Sequence, residues 1–168
     1  MKVRILIMGG SIEDCDESAG TGQRSTDLSE VGEYCRRHNL AERLGFETQG
    51  LVGVICRKDS NLHTNDDRES LLREILSAIG DGVHGVIVPH GRGTIFQTMD
   101  FLLEKLKAQK AQLRFPAILV SSECPINAPG SDGPLALGSG FAHMKYLPGG
   151  VYALHAGALI AGEVNPSR

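Results

Sequence analysis

Length, charge and composition restrict the classes of function open to this chain. Its 168 residues are enough for one well-buried core and few for two domains. A formal net charge of −3, without blocks of like charge, argues against nucleic acid or an anionic membrane surface as a partner. No apolar run reaches the roughly 18 residues of a membrane-spanning helix, and the apolar stretch in residues 1–7 is too short for a signal peptide. We therefore expect a cytoplasmic protein with no membrane partner.

The cysteines and histidines show no metal-binding pattern. Cys15, Cys35, Cys56 and Cys124 lack the spacing of a Cys-x-x-Cys site, so we expect free thiols, with disulfides as the alternative. Several histidines share no spacing with carboxylates, namely His63, His84, His143 and His155. Neither a metal nor a cofactor is expected.

Short apolar runs alternate with helix-like stretches along the chain. The strand-like runs cover residues 3–8, 51–56, 83–88, 117–120 and 151–154. Apolar residues recur every three to four positions from Leu71 and again from Ile95, which predicts helices with one apolar face. Strands that alternate with helices predict a single domain over residues 1–168, a three-layer α/β/α fold around a mostly parallel, doubly wound sheet.

Helix starts are indicated by three capping boxes, in which a first side chain accepts from the backbone and the fourth side chain reaches back. They begin at Asp27, Thr64 and Thr94. Asp132 is a further predicted N-cap, since Pro134 follows it in the first turn. These positions predict where four of the helices begin.

Three segments that follow predicted strands are candidates for a ligand site. Residues 9–26 and 125–134 are longer than a simple connection needs, and long ordered loops are usually functional or mobile. The third segment, His90 to Thr94, leads from a buried strand into a helix through a glycine-rich turn. Backbone N–H groups at a helix start attract anions, and parallel sheets bind ligands at the carboxyl ends of their strands.

Four segments, in this order, resemble the N-terminal domain of the bacterial-type L-asparaginase and glutaminase family. Met8-Gly9-Gly10-Ser11-Ile12 resembles the family's Thr-Gly-Gly-Thr-Ile, and Asp59-Ser60-Asn61-Leu62-His63-Thr64 its Asp-Ser-Ser/Gln-Asp-Met-Thr. His90-Gly91-Arg92-Gly93-Thr94 stands in the place of His-Gly-Thr-Asp-Thr. The fourth segment, Cys124 to Pro134, resembles Arg-Pro-x-x-Ala-Pro-Gly-Ser-Asp-Gly-Pro, and Gly150 to Leu154 resembles the last strand of that domain.

The resemblance implies roles for several of these residues. Ser11 stands at the nucleophile position, and Gly10 before it lets the backbone approach a ligand closely. The alternative for Ser11 is a loop serine that bonds a nearby amide. Ser60 and Asn61 stand where the family holds the substrate's α-carboxylate, the alternative being ordinary turn residues before a helix. Gly91, Arg92 and Gly93 complete the expected substrate-binding set.

The chain departs from the family where the nucleophile is activated. Arg92 and Gly93 replace the threonine and aspartate of His-Gly-Thr-Asp-Thr, and the tail after Gly162 lacks the family's lysine. The loop from Glu13 to Thr26 also lacks the tyrosine that assists the nucleophile. Loss of a general base typically forfeits about 10²–10⁴-fold in rate. The resemblance therefore predicts an intact carboxylate site beside an incomplete catalytic relay.

Two further residues have expected roles. The guanidinium of Arg92 can bind a carboxylate or phosphate with two hydrogen bonds, which would favour an acidic ligand over an amino acid. The alternatives are a solvated charge or a structural ion pair. His90 is expected to be a hydrogen-bonded core residue at the end of a strand.

These observations lead to one expected function and two alternatives. The expectation is an asparaginase-like amidohydrolase that acts on the side-chain amide of asparagine, glutamine or a related small carboxylated molecule. The first alternative is a non-catalytic protein that binds a small carboxylate or phosphate, and the second is a regulatory subunit of a full-length relative. The chain ends at Arg168, where the family's C-terminal domain would begin, so we expect that domain to be absent and a homo-oligomer to cover the face it leaves.

Overall fold

A computed structural model describes residues 1–13, 29–47 and 52–162 of the chain. The strands are β1 (Val3–Gly9), β2 (Val52–Lys58), β3 (Gly85–Pro89), β4 (Pro116–Val120), β5 (Gly150–His155) and β6 (Ala158–Ala161). The helices are α1 (Glu30–His38), α2 (Leu40–Arg43), α3 (Asn65–Gly80), α4 (Ile95–Ala108) and α5 (Gly133–Met144). Two 3₁₀ turns, Ser60–Leu62 and Arg92–Thr94, follow β2 and β3.

The six strands form one sheet in the order β2-β1-β3-β4-β5-β6. All neighbours pair in parallel except β5 and β6, which are antiparallel. The register of β1 with β2 shifts near the end of the pair, between Ile7 and Gly9, so that Gly9 lies opposite Lys58. After this irregularity the Gly10 N–H donates to the Lys58 carbonyl at 2.9 Å, and the two strands end together.

Apolar side chains fill the space on both faces of the sheet. On one face, Leu72 and Ile75 of α3 pack with Leu102 of α4 against the strands. On the other, Val31 of α1 and Phe141 of α5 belong to a second buried cluster. The central strands β3 and β4 are buried at every position, as expected for parallel strands covered on both sides. The predicted α/β class, with a mostly parallel sheet between helical layers, is confirmed.

Helix starts agree with the sequence pattern at one of the predicted capping boxes. Thr64 and Asp67 form both bonds of the box at the start of α3. Helix α1 begins at Glu30, with Ser29 as its N-cap and Gly32 N–H donating to the Ser29 hydroxyl. The prediction that a helix starts at Asp27 is therefore wrong for α1, and Asp27 itself lies outside the described residues.

The start of α1 is held by a carboxylate from the segment after β1. Glu13 is buried and accepts from the Glu30 N–H at 2.9 Å and the Val31 N–H at 3.0 Å. A carboxylate at a helix N-terminus satisfies donors that have no partner within the helix. The chain just after Ser11 is thereby tied to α1.

The prediction that Thr94 and Gln97 form a capping box is wrong. Thr94 occupies the N-cap position of α4, but its side chain makes no capping bond. Its hydroxyl donates instead to the Ser60 carbonyl at 2.7 Å. Thr94 therefore connects the turn after β3 to the turn after β2, a long-range bond that a local spacing rule does not anticipate.

Strand β6 was not predicted from the sequence. Ala156 and Gly157 both have positive φ and form the two-residue turn that leads back from β5. Such turns favour Asn-Gly or Asp-Gly, so Ala-Gly is a weak signal. The strand itself is four residues long and only partly buried, as is common at a sheet edge.

Candidate functional site

The strand order places a change of chain direction beside β1. The chain crosses from β1 to β2 on one side and continues from β2 to β3 on the other side of β1. In sheets of this kind, ligands bind outside the carboxyl ends of the strands at such a switch point. Gly10 and Ser11 follow β1, Ser60 and Asn61 follow β2, and the Arg92–Thr94 turn follows β3. The structure therefore brings the predicted site residues to one edge.

Backbone groups hold the hydroxyl of Ser11. Its Oγ donates to the Ser122 carbonyl at 2.7 Å and accepts a long hydrogen bond from the Arg92 N–H at 3.4 Å. Ser11 is half-buried. Within the part of the chain that the structure describes, no titratable side chain bonds to this hydroxyl. Ser122, which the sequence analysis did not single out, is thus a direct neighbour of the nucleophile position.

The backbones of the segments after β1 and β3 touch. A Cβ placed on Gly10 would lie 2.2 Å from both the N and the Cα of Gly91, and Gly10 has a φ of +82°. A Cβ on Gly91 would lie 2.6 Å from the Ser60 Oγ. Only glycine permits these approaches. Gly10, Gly91 and Ser60 therefore form a close contact of three segments at the centre of the site.

The Ser60–Leu62 turn lies directly against the turn that follows β3. Asp59 organises it by accepting the Asn61 N–H at 2.8 Å. Ser60 is buried and Asn61 is exposed. A Cβ on Gly93 would lie 2.6 Å from the Asn61 Oδ1, so an aspartate at position 93 would require the Asn61 side chain to move. Ser60, Asn61 and Gly93 are thus immediate neighbours.

Arg92 forms an ion pair, which was one of the alternatives for it, with a partner that the sequence did not indicate. Its Nη1 contacts the Oε2 of Glu123, with side-chain exposures of 42% and 57% respectively. Glu123 comes shortly after β4, in a segment where no motif pointed to it. The ion pair therefore joins the residue whose N–H bonds to Ser11 with the residue that follows Ser122, whose carbonyl also bonds to Ser11.

The loop that carries Glu123 is held in place by Asp132. The Asp132 carboxylate accepts from the Glu123 N–H at 2.9 Å and from the Cys124 N–H at 3.2 Å. Asp132 is the N-cap residue of α5, and Pro134 lies in the first turn, but no side-chain capping bond forms. The position predicted for Asp132 is therefore confirmed, whereas its carboxylate stabilises the preceding loop instead of the helix.

A directed chain of hydrogen bonds lies behind the turn after β3. His90 Nδ1 is 2.7 Å from the Gly91 carbonyl and must donate, since a carbonyl only accepts. His90 Nε2 then accepts the Thr98 hydroxyl at 2.9 Å, and Thr98 Oγ1 accepts Arg68 Nε at 3.2 Å. Burial above all, with the nearby His63 and Arg68, lowers the pKa of His90 to about 3. The neutral ring thus holds the Gly91 carbonyl.

His63 packs edge-on against His90, with ring centroids 4.8 Å apart. Burial is the largest influence on its pKa and lowers it, although the Met8 and Lys58 carbonyls and the Asp67 carboxylate act in the opposite direction. Neither ring nitrogen meets hydrogen-bond geometry with its neighbours, so the carbonyls are near rather than bonded. His63 is therefore a neutral, buried ring beside His90.

A serine–histidine contact lies at the same edge. The Ser121 Oγ is 3.0 Å from the Nδ1 of His155, at the ends of β4 and β5. Phe96, at the start of α4, packs edge-on against the His155 ring. Ser121 is buried, and its Oγ also lies 3.5 Å from the Leu154 carbonyl. The contact pairs the ends of two strands.

Among the described residues, the remaining features to consider are a cavity, metal-ligating side chains, membrane-spanning helices and cysteines. A cavity of about 550 Å³ lies at the opposite end of the sheet, between the end of α4 and the start of β5. Its lining lacks the predicted site residues, so the carboxyl edge remains the candidate site. Within the described ranges, no group of three metal-ligating side chains and no helix able to span a membrane occurs. Cys35 and Cys124 are free thiols, the Cys56 thiol donates to the Met8 carbonyl, and Cys15 lies outside the described residues.

The sequence and the structure of the chain were compared with those of known proteins. No curated protein matches the chain in sequence. Its fold is similar to that of a probable cytoplasmic L-asparaginase from Campylobacter jejuni (TM-score 0.73, 20% identity, covering 95% of this chain and 47% of that one). It is also similar to the thermostable L-asparaginase from Thermococcus kodakarensis (TM-score 0.71, 16% identity, covering 100% and 59%).

The chain thus spans about half the length of these solved structures. A model of the asparaginase N-terminal domain matches residues 2–163, which is nearly all of the sequence. The motifs after β1, β2 and β3, which meet at one edge, lie within that match. The chain therefore belongs to the asparaginase family and corresponds to its N-terminal domain.

Proposed function

We propose that the chain is an asparaginase-like amidohydrolase for the side-chain amide of asparagine, glutamine or a related small carboxylated molecule. The observation that carries this proposal is the position of Ser11. Its hydroxyl lies between the Arg92 N–H and the Ser122 carbonyl, next to the Ser60–Leu62 turn. A hydroxyl beside a backbone donor is placed to attack an amide carbon while the donor stabilises the developing oxyanion.

The remaining predicted residues support substrate binding. Ser60 and Asn61 present a hydroxyl and an amide at the turn before α3, which suits a carboxylate. Gly10 and Gly91 carry no side chain, which lets the segments that bear Ser11, Arg92 and Ser60 meet at this edge. Gly93 likewise leaves room for the Asn61 side chain. In the proposed reaction, the carboxylate is held at the Ser60–Leu62 turn, and the side-chain amide lies at Ser11.

The experiment that tests this proposal is ammonia release from asparagine and from glutamine by the purified protein. Ser11→Ala is expected to abolish release, because the nucleophile is lost. Ser11→Thr is the matched control, since it keeps a hydroxyl at the same position. Release that persists in Ser11→Ala would contradict the assigned nucleophile, and the absence of release from the unaltered protein would contradict the hydrolase.

A second candidate is a non-catalytic protein that binds a small carboxylate or phosphate. It is favoured by the bond of Ser11, which donates its proton to a carbonyl and, among the described residues, bonds to no side-chain base. General base catalysis needs such a group within reach of the nucleophile. A thermal-shift series with succinate, aspartate and inorganic phosphate tests this candidate. Stabilisation by one of them without ammonia release from asparagine or glutamine would support binding over hydrolysis.

We also propose that the protein acts in the cytoplasm as a homo-oligomer. The free thiols of Cys35 and Cys124 are consistent with a reducing compartment. One structural neighbour is described as a probable cytoplasmic enzyme. The oligomeric state is tested below.

A further inference from the structure

Two segments bond to the Ser11 hydroxyl through their backbones: residue 92 belongs to a donor side, and residues 122 and 123 form an acceptor side. Residue 92 supplies donors twice, through its backbone N–H, 3.4 Å from the Ser11 Oγ, and through its guanidinium. The adjacent residues 122 and 123 supply acceptors, namely the Ser122 carbonyl, 2.7 Å from the Ser11 Oγ, and the Glu123 carboxylate. The Arg92–Glu123 ion pair joins the two sides.

A donor side and an acceptor side suit a primary carboxamide better than the corresponding carboxylate. A primary carboxamide has an oxygen that accepts and an –NH₂ that donates two hydrogen bonds. Its oxygen can face the donors of Arg92 while its nitrogen faces the Ser122 carbonyl and the Glu123 carboxylate. A carboxylate only accepts, so one of its oxygens would face two acceptors, one of them negatively charged.

The acceptor side is held firmly, whereas the ion pair can separate. The Glu123 and Cys124 N–H groups are bound by the Asp132 carboxylate, and the Ser122 hydroxyl donates to the Cys124 carbonyl at 2.7 Å. These bonds hold the backbone that carries Glu123. The side chains of Arg92 and Glu123 are both substantially exposed, and an exposed ion pair contributes little to stability. A ligand group can therefore enter between them at small cost.

We propose that Glu123, together with Arg92, makes the site select a carboxamide over the corresponding carboxylate. Glu123 is a specificity-determining residue, and it also disfavours retention of the acid that hydrolysis would produce. The inference rests on the proposed function to the extent that the ligand's distal group lies at Ser11. It differs from the expectation from sequence that Arg92 alone would favour an acidic ligand, because Arg92 has a carboxylate beside it.

The test compares the affinities of L-asparagine and L-aspartate, which share their α-groups and differ only in the distal amide or acid. Calorimetric titration of Ser11→Ala avoids turnover, and the same titration is made with Ser11→Ala,Glu123→Gln. We expect Ser11→Ala to prefer asparagine, and the added Glu123→Gln to shift the ratio of affinities toward aspartate by about tenfold, the effect of one hydrogen bond to a charged group. Ser11→Ala,Glu104→Gln, altered at an exposed glutamate on α4, should keep the ratio.

Three results would overturn the inference: a preference of Ser11→Ala for aspartate, a ratio that Glu123→Gln leaves unchanged, or no binding of either compound. Thermal unfolding of each variant shows that it is folded. Ammonia release by the unaltered protein is a separate measurement. Release with an unchanged ratio would uphold the hydrolase and reject the role of Glu123, whereas a shifted ratio without release would uphold Glu123 and reject the hydrolase.

Discussion

Thr98 connects two elements through a single hydroxyl. It donates to His90 Nε2 and accepts from Arg68 Nε, and all three side chains are buried. Each buried polar group in this series of hydrogen bonds has its neighbour as a partner, so removal of one group leaves the next one unsatisfied. The bond from His90 to the Gly91 carbonyl is the last of these hydrogen bonds and lies next to the candidate site.

Thr98→Val is expected to lower the free energy of unfolding by about 1–3 kcal/mol, since it removes the hydroxyl and keeps the shape. Arg68→Met should be destabilising as well. In the double variant the two losses should overlap by about 0.5 kcal/mol or more, because the residues share one network. Urea denaturation of the four proteins measures this coupling. Strictly additive losses would show that the two contacts are energetically independent.

The buried histidines predict how stability depends on pH. The pKa of His90 is about 3 in the folded chain, against 6.5 for an ordinary histidine. Between these values the unfolded chain binds a proton that the folded chain excludes. The free energy of unfolding should therefore fall as the pH drops below 6.5, by at most about 1.4 kcal/mol per pH unit from His90, and remain unaffected by it above 6.5. The lowered pKa of His63 acts in the same direction.

Urea denaturation between pH 4.5 and 7.5 tests this dependence. His90→Gln is the informative variant, because glutamine offers a donor and an acceptor but does not titrate. Its unfolding free energy should change less steeply with pH than that of the unaltered protein. Equal slopes for the two proteins would show that His90 is not responsible.

Sequence reasoning found residues of the site when their role depended on local backbone. Gly10, Ser11, Ser60 and Gly91 follow strands within recognisable motifs, and the structure places them together. Glu123 was missed because its significance depends on Arg92, 31 positions earlier, and on a loop held by Asp132. A contact between two separate loops leaves no periodicity or spacing in the sequence.

Between elements, the segment after β1 closely approaches the segment after β3. At Gly10, φ is +82° and a Cβ would lie 2.2 Å from the Gly91 backbone. Gly82 is a matched comparison, because its φ is +65° and a Cβ there would meet nothing within 4 Å. The pair separates the cost of backbone conformation from the cost of close packing.

Gly82→Ala is expected to destabilise by roughly 1–2 kcal/mol, the usual cost of a left-handed conformation for a residue with a Cβ. Gly10→Ala should cost about 1–3 kcal/mol more, because its Cβ also collides with backbone. Urea denaturation of the two variants measures the difference. Equal losses would mean that the β1 and β3 segments move apart easily.

Elements were predictable where side-chain pattern alone decides them. Buried strands such as β3 and β4 are uniformly apolar, and the capping box of Thr64 depends on residues three positions apart. The hydroxyl of Thr94 instead bonds to Ser60, so a distant partner displaces the local one. The edge strand β6 is short and weakly buried, and burial is what a hydrophobic pattern reports.

For the molecule as a whole, exposed apolar side chains indicate where a second copy could bind. Among the described residues, Tyr146 and Leu135 are the most exposed large apolar side chains, at 85% and 78%. Both lie on or next to α5, in the outer layer on one face of the sheet. The homo-oligomer expected from the sequence remains a prediction. We expect these two side chains to lie in its interface, because exposed apolar surface favours burial against a partner.

Light scattering after size-exclusion chromatography should give a mass of two or more chains of 18.0 kDa each. Leu135→Ser,Tyr146→Ser should move the mass toward that of one chain, because it removes apolar surface that an interface would bury. Ile79→Ser, at a 41% exposed position on α3, is the control and should not alter the mass. A mass of 18.0 kDa for the unaltered protein would reject the oligomer.

The shifted register at the end of β2 has a consequence for insertions and deletions. Lys58 accepts from Gly10 immediately after the irregularity, and Ser60 contacts Gly91 two residues later. One residue added or removed in β2 would displace Ser60 by about 3.3 Å and turn the following side chains to the opposite face. The length of this edge strand is therefore under tighter constraint than its amino-acid identities, and homologous chains should differ there by substitution and not by length.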